Sequence, residues 1–187
     1  IEYFEQVNTR ASVYNIGRCY FEMNQFEKAI LYYEKASAAG DGKATYNLSL
    51  MYEYGNGVSK DPKKAFEILI NAVDLNEKLI YRNLGRYYSK GIGTEKNLKI
   101  AKAYYKKAIE LFGKDFCPDV YTSLGLEYML IRDYKKALWY LKKGLNGCLD
   151  TYEQYFEITN CYFNLDKSGE AIDFFKQLNT VIFANFP

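Results

Sequence analysis

Between residues 13 and 36 the apolar positions fall at Val13, Ile16 and Tyr20, then at Phe26, Ala29, Ile30, Tyr33 and Ala36. Steps of three and four residues put such side chains on one face of a helix, whereas a half-buried strand would alternate at every second residue. The pattern predicts two amphipathic helices joined by a short polar turn. Asn24 is expected to cap the second helix, with Glu27 three residues on as its capping-box partner. The pattern then returns. Tyr20, Tyr52, Tyr88, Tyr128 and Tyr162 recur at intervals of 32, 36, 40 and 34 residues. Each is followed by an alanine, at Ala29, Ala65, Ala101, Ala137 and Ala171. A period of this size marks a stack of helix pairs, each pair burying its apolar face against its neighbours. Two units have the alanine 13 residues after the tyrosine and three have it 9 residues after, so two turns carry the same four-residue insertion.

Small residues are placed where two helices must approach closely. Gly17 and Ala29 stand at the first crossing, and the tyrosines fill the wider gaps between units. The fourth unit repeats this with Tyr121, Leu124, Gly125, Tyr128, Ala137, Leu141 and Gly144. The fifth has Tyr155, Ile158, Thr159, Tyr162, Ala171, Phe175 and Leu178, where Thr159 and Leu178 replace small residues and predict a wider or rotated crossing. Ser49 is a milder departure at the second crossing. In the expanded turns, Gly55 and Gly57, then Gly91 and Gly93, supply the positive φ that ends a helix. Asp61 followed by Pro62, and Asn97, cap the helices that follow.

The residues Val13, Ile16, Gly17, Tyr20, Ala29, Tyr33 and Ala36 resemble the tetratricopeptide repeat (TPR). Tyr52, Gly55, Gly57 and Val58, then Tyr88, Gly91 and Gly93, resemble the Sel1-like repeat, a TPR relative with a longer turn. The resemblance implies an all-α fold, a right-handed superhelical α-solenoid of antiparallel helix pairs. It implies one array over 1–187, with repeats at about 11–41, 43–77, 79–114, 118–150 and 152–185. Residues 1–9 read as the tail of a preceding helix, as if the chain were cut from a longer array. Val181, Ile182, Phe183 and Phe186 are apolar enough to call for a cover, from the chain itself or from another.

Charge and chemistry narrow the function. The 187 residues hold 25 Lys and Arg against 23 Asp and Glu, a net charge of +2, which gives no overall attraction to nucleic acid or anionic membranes. No apolar run is long enough to span a bilayer, and the chain reads as soluble and cytoplasmic. Histidine is absent, and the four cysteines, Cys19, Cys117, Cys148 and Cys161, have no zinc-like spacing. They read as reduced thiols, with a Cys148–Cys161 contact open. Without histidine the usual nucleophile and acid–base sets are missing, so neither catalysis, a metal nor a cofactor is expected.

In the family the resemblance points to, the first helix of each pair lines the concave side. Arg82, Arg86 and Lys90 then form a cation stripe at four-residue steps, joined by Arg18. Like charges so spaced do not help a helix. The stripe reads either as a solvated face partly neutralised by Glu53 or as a carboxylate or phosphate site. Asn15, Asn47 and Asn83 occupy one place in three successive units, where the family's asparagine ladder holds a peptide backbone; an amide offers donor and acceptor together. Tyr54 adds aromatic contact area. Leu126 and Leu130 read as core, and Met129 between them as an exposed contact. The expected function is a scaffold or adaptor binding a peptide segment of a partner, one with an acidic stretch, in the groove. A regulatory sensor answering a peptide or small ligand is the alternative. Neither nucleic acid nor membrane is an expected partner, and self-association through exposed array ends stays open.

Overall fold

A computed structural model of the chain describes residues 10–112, 118–145 and 152–185. The fold is all-α, helix pair after helix pair, the α-solenoid class. Two compact units divide it, residues 1–111 and 112–187. The first holds α1 (Arg10–Glu22), α2 (Phe26–Ala38), α3 (Gly42–Tyr54), α4 (Pro62–Ile70), a 3-10 turn (Val73–Leu75), α5 (Lys78–Lys90) and α6 (Leu98–Phe112). The second holds α7 (Pro118–Leu130), α8 (Tyr134–Leu145), α9 (Tyr152–Phe163) and α10 (Ser168–Asn185). Among the described residues no helix is long and apolar enough to cross a membrane.

Each pair is set by a close crossing. A Cβ on Gly17 would stand 2.8 Å from the Tyr33 ring, one on Gly85 2.6 Å from the Tyr105 ring, and one on Gly125 2.6 Å from Leu141 Cγ. The three pairs use one geometry: a first-helix backbone lies directly on a large side chain of the second helix. The five recurring alanines are all fully buried. Ser49 and Thr159 fill the crossing position differently. Their hydroxyls turn back to their own helix, Ser49 Oγ donating to the Tyr46 carbonyl at 2.6 Å and Thr159 Oγ1 to the Tyr155 carbonyl at 2.8 Å. A hydroxyl buried at the crossing is thereby given an acceptor within its own helix. The side chain of Leu178, the other departure in the fifth unit, lies outside the described residues.

The recurring tyrosines lie against an aromatic ring of the second helix. Tyr20 stacks on Tyr32 at 5.4 Å between centroids, Tyr88 on Tyr104 at 5.7 Å and Tyr128 on Tyr140 at 5.3 Å, while Tyr162 meets Phe174 tilted at 6.0 Å. Tyr52 instead packs between the two apolar clusters of the first unit.

The expanded turns have two separable jobs. Gly55 and Gly91 end α3 and α5 in the left-handed region, at φ 81° and 72°, and each N–H bonds the carbonyl four residues back. Gly57 and Gly93 bring the turn onto the start of the preceding second helix. A Cβ there would meet Phe26 Cβ at 2.6 Å in the first turn and would collide with the Pro62 carbonyl oxygen in the second. Asp61 accepts from Lys64 N at 2.9 Å and Asn97 from Ile100 N at 3.1 Å, as their cap positions predict. Asn24 behaves otherwise. It takes φ 57° and terminates α1, with Gln25 N bonding the Tyr20 carbonyl at 2.9 Å, and the cap position of α2 falls to Gln25, which makes no side-chain cap bond. Asparagine tolerates the left-handed region, and in so short a turn ending α1 takes precedence over capping α2.

Cys19 and Cys161 carry free thiols; burial pushes the Cys161 pKa up to about 11. Cys117 and Cys148 lie outside the described residues, as do 1–9 and the side chains of Val181, Ile182, Phe183 and Phe186.

The crossing predicts a measurable asymmetry among glycines. Gly85→Ala forces its methyl into the buried Tyr105 ring and is expected to cost about 2 kcal/mol in urea unfolding, a strain that outweighs the gain in helix propensity. Gly169→Ala, with nothing within 4 Å of the added carbon, is expected to be neutral or slightly stabilising.

Candidate functional site

The first unit presents a continuous face built by α1, α3 and α5, and within it Tyr14, Arg18, Phe21, Asn47, Leu50 and Tyr54 surround a cavity of about 360 Å³. Helical spacing puts them there. Tyr14, Arg18 and Phe21 follow one another at steps of four and three along α1, and Asn47, Leu50 and Tyr54 at steps of three and four along α3. Tyr33, at the first crossing, forms the floor. Burial raises its hydroxyl pKa to about 12, against an opposing contribution from the Asn47 amide. Tyr54 is 59% exposed and Arg18 is exposed at the rim. Asn56, between the two turn glycines, also lines the cavity. Nothing in the periodicity singled it out; its place in the expanded turn next to Gly55 is the one available signal.

A second, more polar cavity of about 510 Å³ lies on the other side of Arg18, where Asn15 meets Asp41, Lys43 and Glu77. Arg18 borders both cavities, with Glu22 one turn further along α1 also lining the first.

The cation stripe of α5 is divided. Arg86 is spent within the fold. Its two terminal nitrogens donate to both carboxylate oxygens of Glu53 on α3, at 2.7 and 2.5 Å, and its Nε donates to Asn83 Oδ1 at 3.0 Å. Tyr87 donates its hydroxyl to the same carboxylate at 2.7 Å. Glu53 is 6% exposed, and burial alone would raise its pKa. The hydrogen bonds from Arg86 and Tyr87 win, and hold it below the ordinary carboxylate value. Burial likewise works against the Arg86 charge, and Glu53 more than restores it. Glu53 lies buried beneath the stripe and neutralises it at Arg86, the partial neutralisation expected of it. Asn83, 3% exposed, orients Arg86, and its Nδ2 has no hydrogen-bond partner among the described residues. Arg82 is half-buried and donates to the Tyr46 hydroxyl at 3.0 Å. Lys90, at the end of α5, is exposed.

The structure therefore brings Arg18, Asn47 and Tyr54 together at one cavity and puts Asn15 at the next. Arg82, Asn83 and Arg86 serve contacts between α3 and α5. In the second unit Met129 is half-buried, while Leu126 and Leu130, read as core from their helical spacing, are exposed. Spacing shows that they share a face of α7; it does not show whether another helix covers that face. Among the described residues no group of three or more His, Cys, Asp or Glu could hold a metal ion.

Helix pairs with small residues at the crossing, expanded glycine turns and an aromatic-lined face on the first helices define a helical repeat protein of the scaffold type. The tetratricopeptide repeat model matches residues 12–37, and the Sel1 repeat model matches 42–77, 81–111 and 123–146. The chain belongs to the Sel1 and tetratricopeptide repeat family, whose members mediate protein–protein interaction. It is 36% identical over 78 residues to the ERAD-associated E3 ubiquitin-protein ligase component HRD3 of Candida glabrata, covering 42% of this chain and 9% of that protein. It is 34% identical over 93 residues to Activator of C kinase protein 1 of Saccharomyces cerevisiae, covering 46% and 15%. The chain thus spans a small part of the curated relatives it matches. Among solved structures, a Sel1 repeat protein from Oxalobacter formigenes superposes with a TM-score of 0.71 at 27% identity, covering 91% of this chain and 72% of that one. A MamA structure superposes at 0.65 and 23% identity, covering 89% and 88%, which shows the fold alone.

The buried pair predicts a pH signature. Glu53's folded pKa is depressed, so its stabilisation is complete above the ordinary value near 4.5 and is lost as pH falls through the lower folded value. Glu53→Gln is expected to cost about 3 kcal/mol at neutral pH, because it leaves Arg86 uncompensated. It should also flatten the acid limb of stability; urea midpoints from pH 7 to pH 3 check both.

Proposed function

We propose that this chain is a protein-interaction scaffold that holds an extended segment of a partner protein along the α1–α3–α5 face of its first unit. The observation that carries this reading is the cavity of about 360 Å³ with aromatic and aliphatic walls, an exposed Arg18 and the Asn47 amide at its edge. Its size and lining suit one bulky apolar side chain of an extended peptide. Exposed Tyr54 and Arg18 are of the residue types that concentrate binding energy at interfaces, a large rigid ring and a planar cation. Asn47 and Asn15 offer donor and acceptor together for a passing backbone. Arg18 favours a carboxylate next to the apolar anchor, and Lys90, exposed at the end of α5, extends the preference for acidic residues. Arg82, Asn83 and Arg86 enter by holding α3 and α5 in place. In the second unit, Met129 with exposed Leu126 and Leu130 supplies a separate apolar contact for partner side chains. The relatives' names, a ligase component and an activator of a kinase, support a module that acts through other proteins.

Selection from a random 12-residue peptide library on the full chain tests the reading. The enriched peptides are expected to place a large apolar residue within a few positions of Asp or Glu. Arg18→Glu should weaken the selected peptide by about tenfold or more, the loss of one charge-assisted contact. Tyr54→Ala should weaken it severalfold, with circular dichroism and melting unchanged for both. Peptides with no such pattern, or unchanged affinity in both variants, would remove this face as the binding site.

A further inference from the structure

The cavity between α1 and α3 has apolar walls in Tyr14, Phe21, Leu50 and Tyr54, and its rim holds Arg18 and Glu22, both exposed. Two further polar groups line it, the hydroxyl of Tyr33 in the floor and the side-chain amide of Asn56. The Tyr33 hydroxyl stands among Tyr14, Arg18, Glu22 and Asn47, all of which act on it, and the residue is 1% exposed. An N–H of the Asn47 amide donates to its oxygen. A hydroxyl has a hydrogen to give as well as lone pairs to receive, so the Tyr33 hydrogen is left for what enters the cavity. The Asn56 side chain makes no hydrogen bond among the described residues.

Neither polar group is required by the fold. The seat that Tyr33 makes on Gly17 is made on Gly125 by Leu141, which has no hydroxyl. The place of Asn56 between Gly55 and Gly57 is taken by Ile92 between Gly91 and Gly93. Both backbone N–H groups bond the carbonyl five residues back, Asn56 to Met51 at 3.0 Å and Ile92 to Tyr87 at 2.9 Å. Ile92 packs against the apolar cluster of Leu69, Ile80 and Leu84, whereas Asn56 lines the cavity.

A purely apolar anchor would cover the Tyr33 hydrogen and the Asn56 amide without giving either a partner, and such groups are costly to bury unpaired. Tryptophan can give its N–H to Asn56 but has nothing to accept the Tyr33 hydrogen. A carboxylate tip would share the lining with Glu22, while the one cation of the lining, Arg18, is at the rim. A phenol serves both groups: its oxygen accepts from Tyr33, its hydrogen goes to the Asn56 carbonyl oxygen, and its ring takes the apolar walls. We infer that the anchor of the bound segment is a tyrosine, read by Tyr33 and Asn56, with the partner's acidic residue beside it at Arg18. The inference rests on the peptide-binding reading of this face and names the residue that enters it.

The library selection on the full chain supplies the probe. Its enriched peptides are expected to carry tyrosine at the large apolar position in preference to phenylalanine, leucine or tryptophan. The best tyrosine peptide and its phenylalanine counterpart, labelled with fluorescein, are then compared by anisotropy. Loss of the hydroxyl should weaken binding by about tenfold. Asn56→Ile gives the first turn the side chain that the second already carries, and Tyr33→Phe keeps the floor. Each should narrow the gap between the two peptides to about threefold or less, with the tyrosine peptide the one that loses. A merely structural effect would weaken both peptides alike and leave the gap. Phenylalanine or leucine anchors enriched next to Asp or Glu, or a gap that both variants leave unchanged, would overturn the inference and leave the peptide-binding face standing. Peptides with no pairing of anchor and acid would remove both.

Discussion

The molecule depends on one contact, the seat of a first-helix backbone on a large side chain of the second helix. Where glycine stands at the crossing, the missing Cβ lets Tyr33, Tyr105 or Leu141 lie against the helix backbone itself. That closeness forces the rest. It requires a side chain as small as alanine on the facing helix, hence the five fully buried alanines. It also brings the ring one turn beyond the crossing within stacking distance of a second-helix aromatic, hence Tyr20 on Tyr32, Tyr88 on Tyr104 and Tyr128 on Tyr140. A pair locked in this way has spent one flank and keeps the other for a neighbour. Side chains before and after the crossing residue are left on the outer face of each first helix, where Tyr14, Arg18, Asn47 and Tyr54 are found.

Within the first unit a polar link of a different kind joins α3 to α5. A buried carboxylate is costly unless its lone pairs are met, and Glu53 has two bonds from Arg86 and one from Tyr87. The geometry is the bidentate one in which guanidinium and carboxylate match best. Its consequence for function is subtraction. Arg86 lies at the centre of the cation stripe yet has no charge left to offer, and Arg82 leans on Tyr46. The free positive character of the face shifts toward Arg18 on α1 and Lys90 at the end of α5. A row of like charges at helical spacing is therefore a poor guide to a site until the acid beneath it has been accounted for.

The helix pairs, their crossings and most caps could be read from the residues, because each rests on a local pattern: a tyrosine and an alanine at fixed separation, an Asp–Pro, a Gly-x-Gly. Asn24 defeated that reading because two local rules competed for one residue, and ending α1 in the left-handed region took precedence over capping α2. Leu126 and Leu130 show a second limit. Helical period reports which side chains share a face, and whether that face is covered is a property of the stack. Asn83 shows the same in reverse: its position matches Asn15 and Asn47, but Arg86 closes over it and takes its carbonyl oxygen. The second glycine of each expanded turn was legible as a turn residue, whereas its role in docking the turn onto Phe26 or Pro62 depends on a contact 31 residues away.

The aromatic residues three before and four after a crossing have two neighbours in this fold, and that ties the two surfaces together. Tyr14 and Phe21 pack with their edges against the cluster that α3 completes, and they also wall the cavity of the first unit. The cavity exists because α3 is there: Asn47, Leu50 and Tyr54 form its opposite side. Phe156 and Phe163 hold the matching positions in the second unit, where both are half-exposed and border an apolar cavity with Ile172 and Phe175.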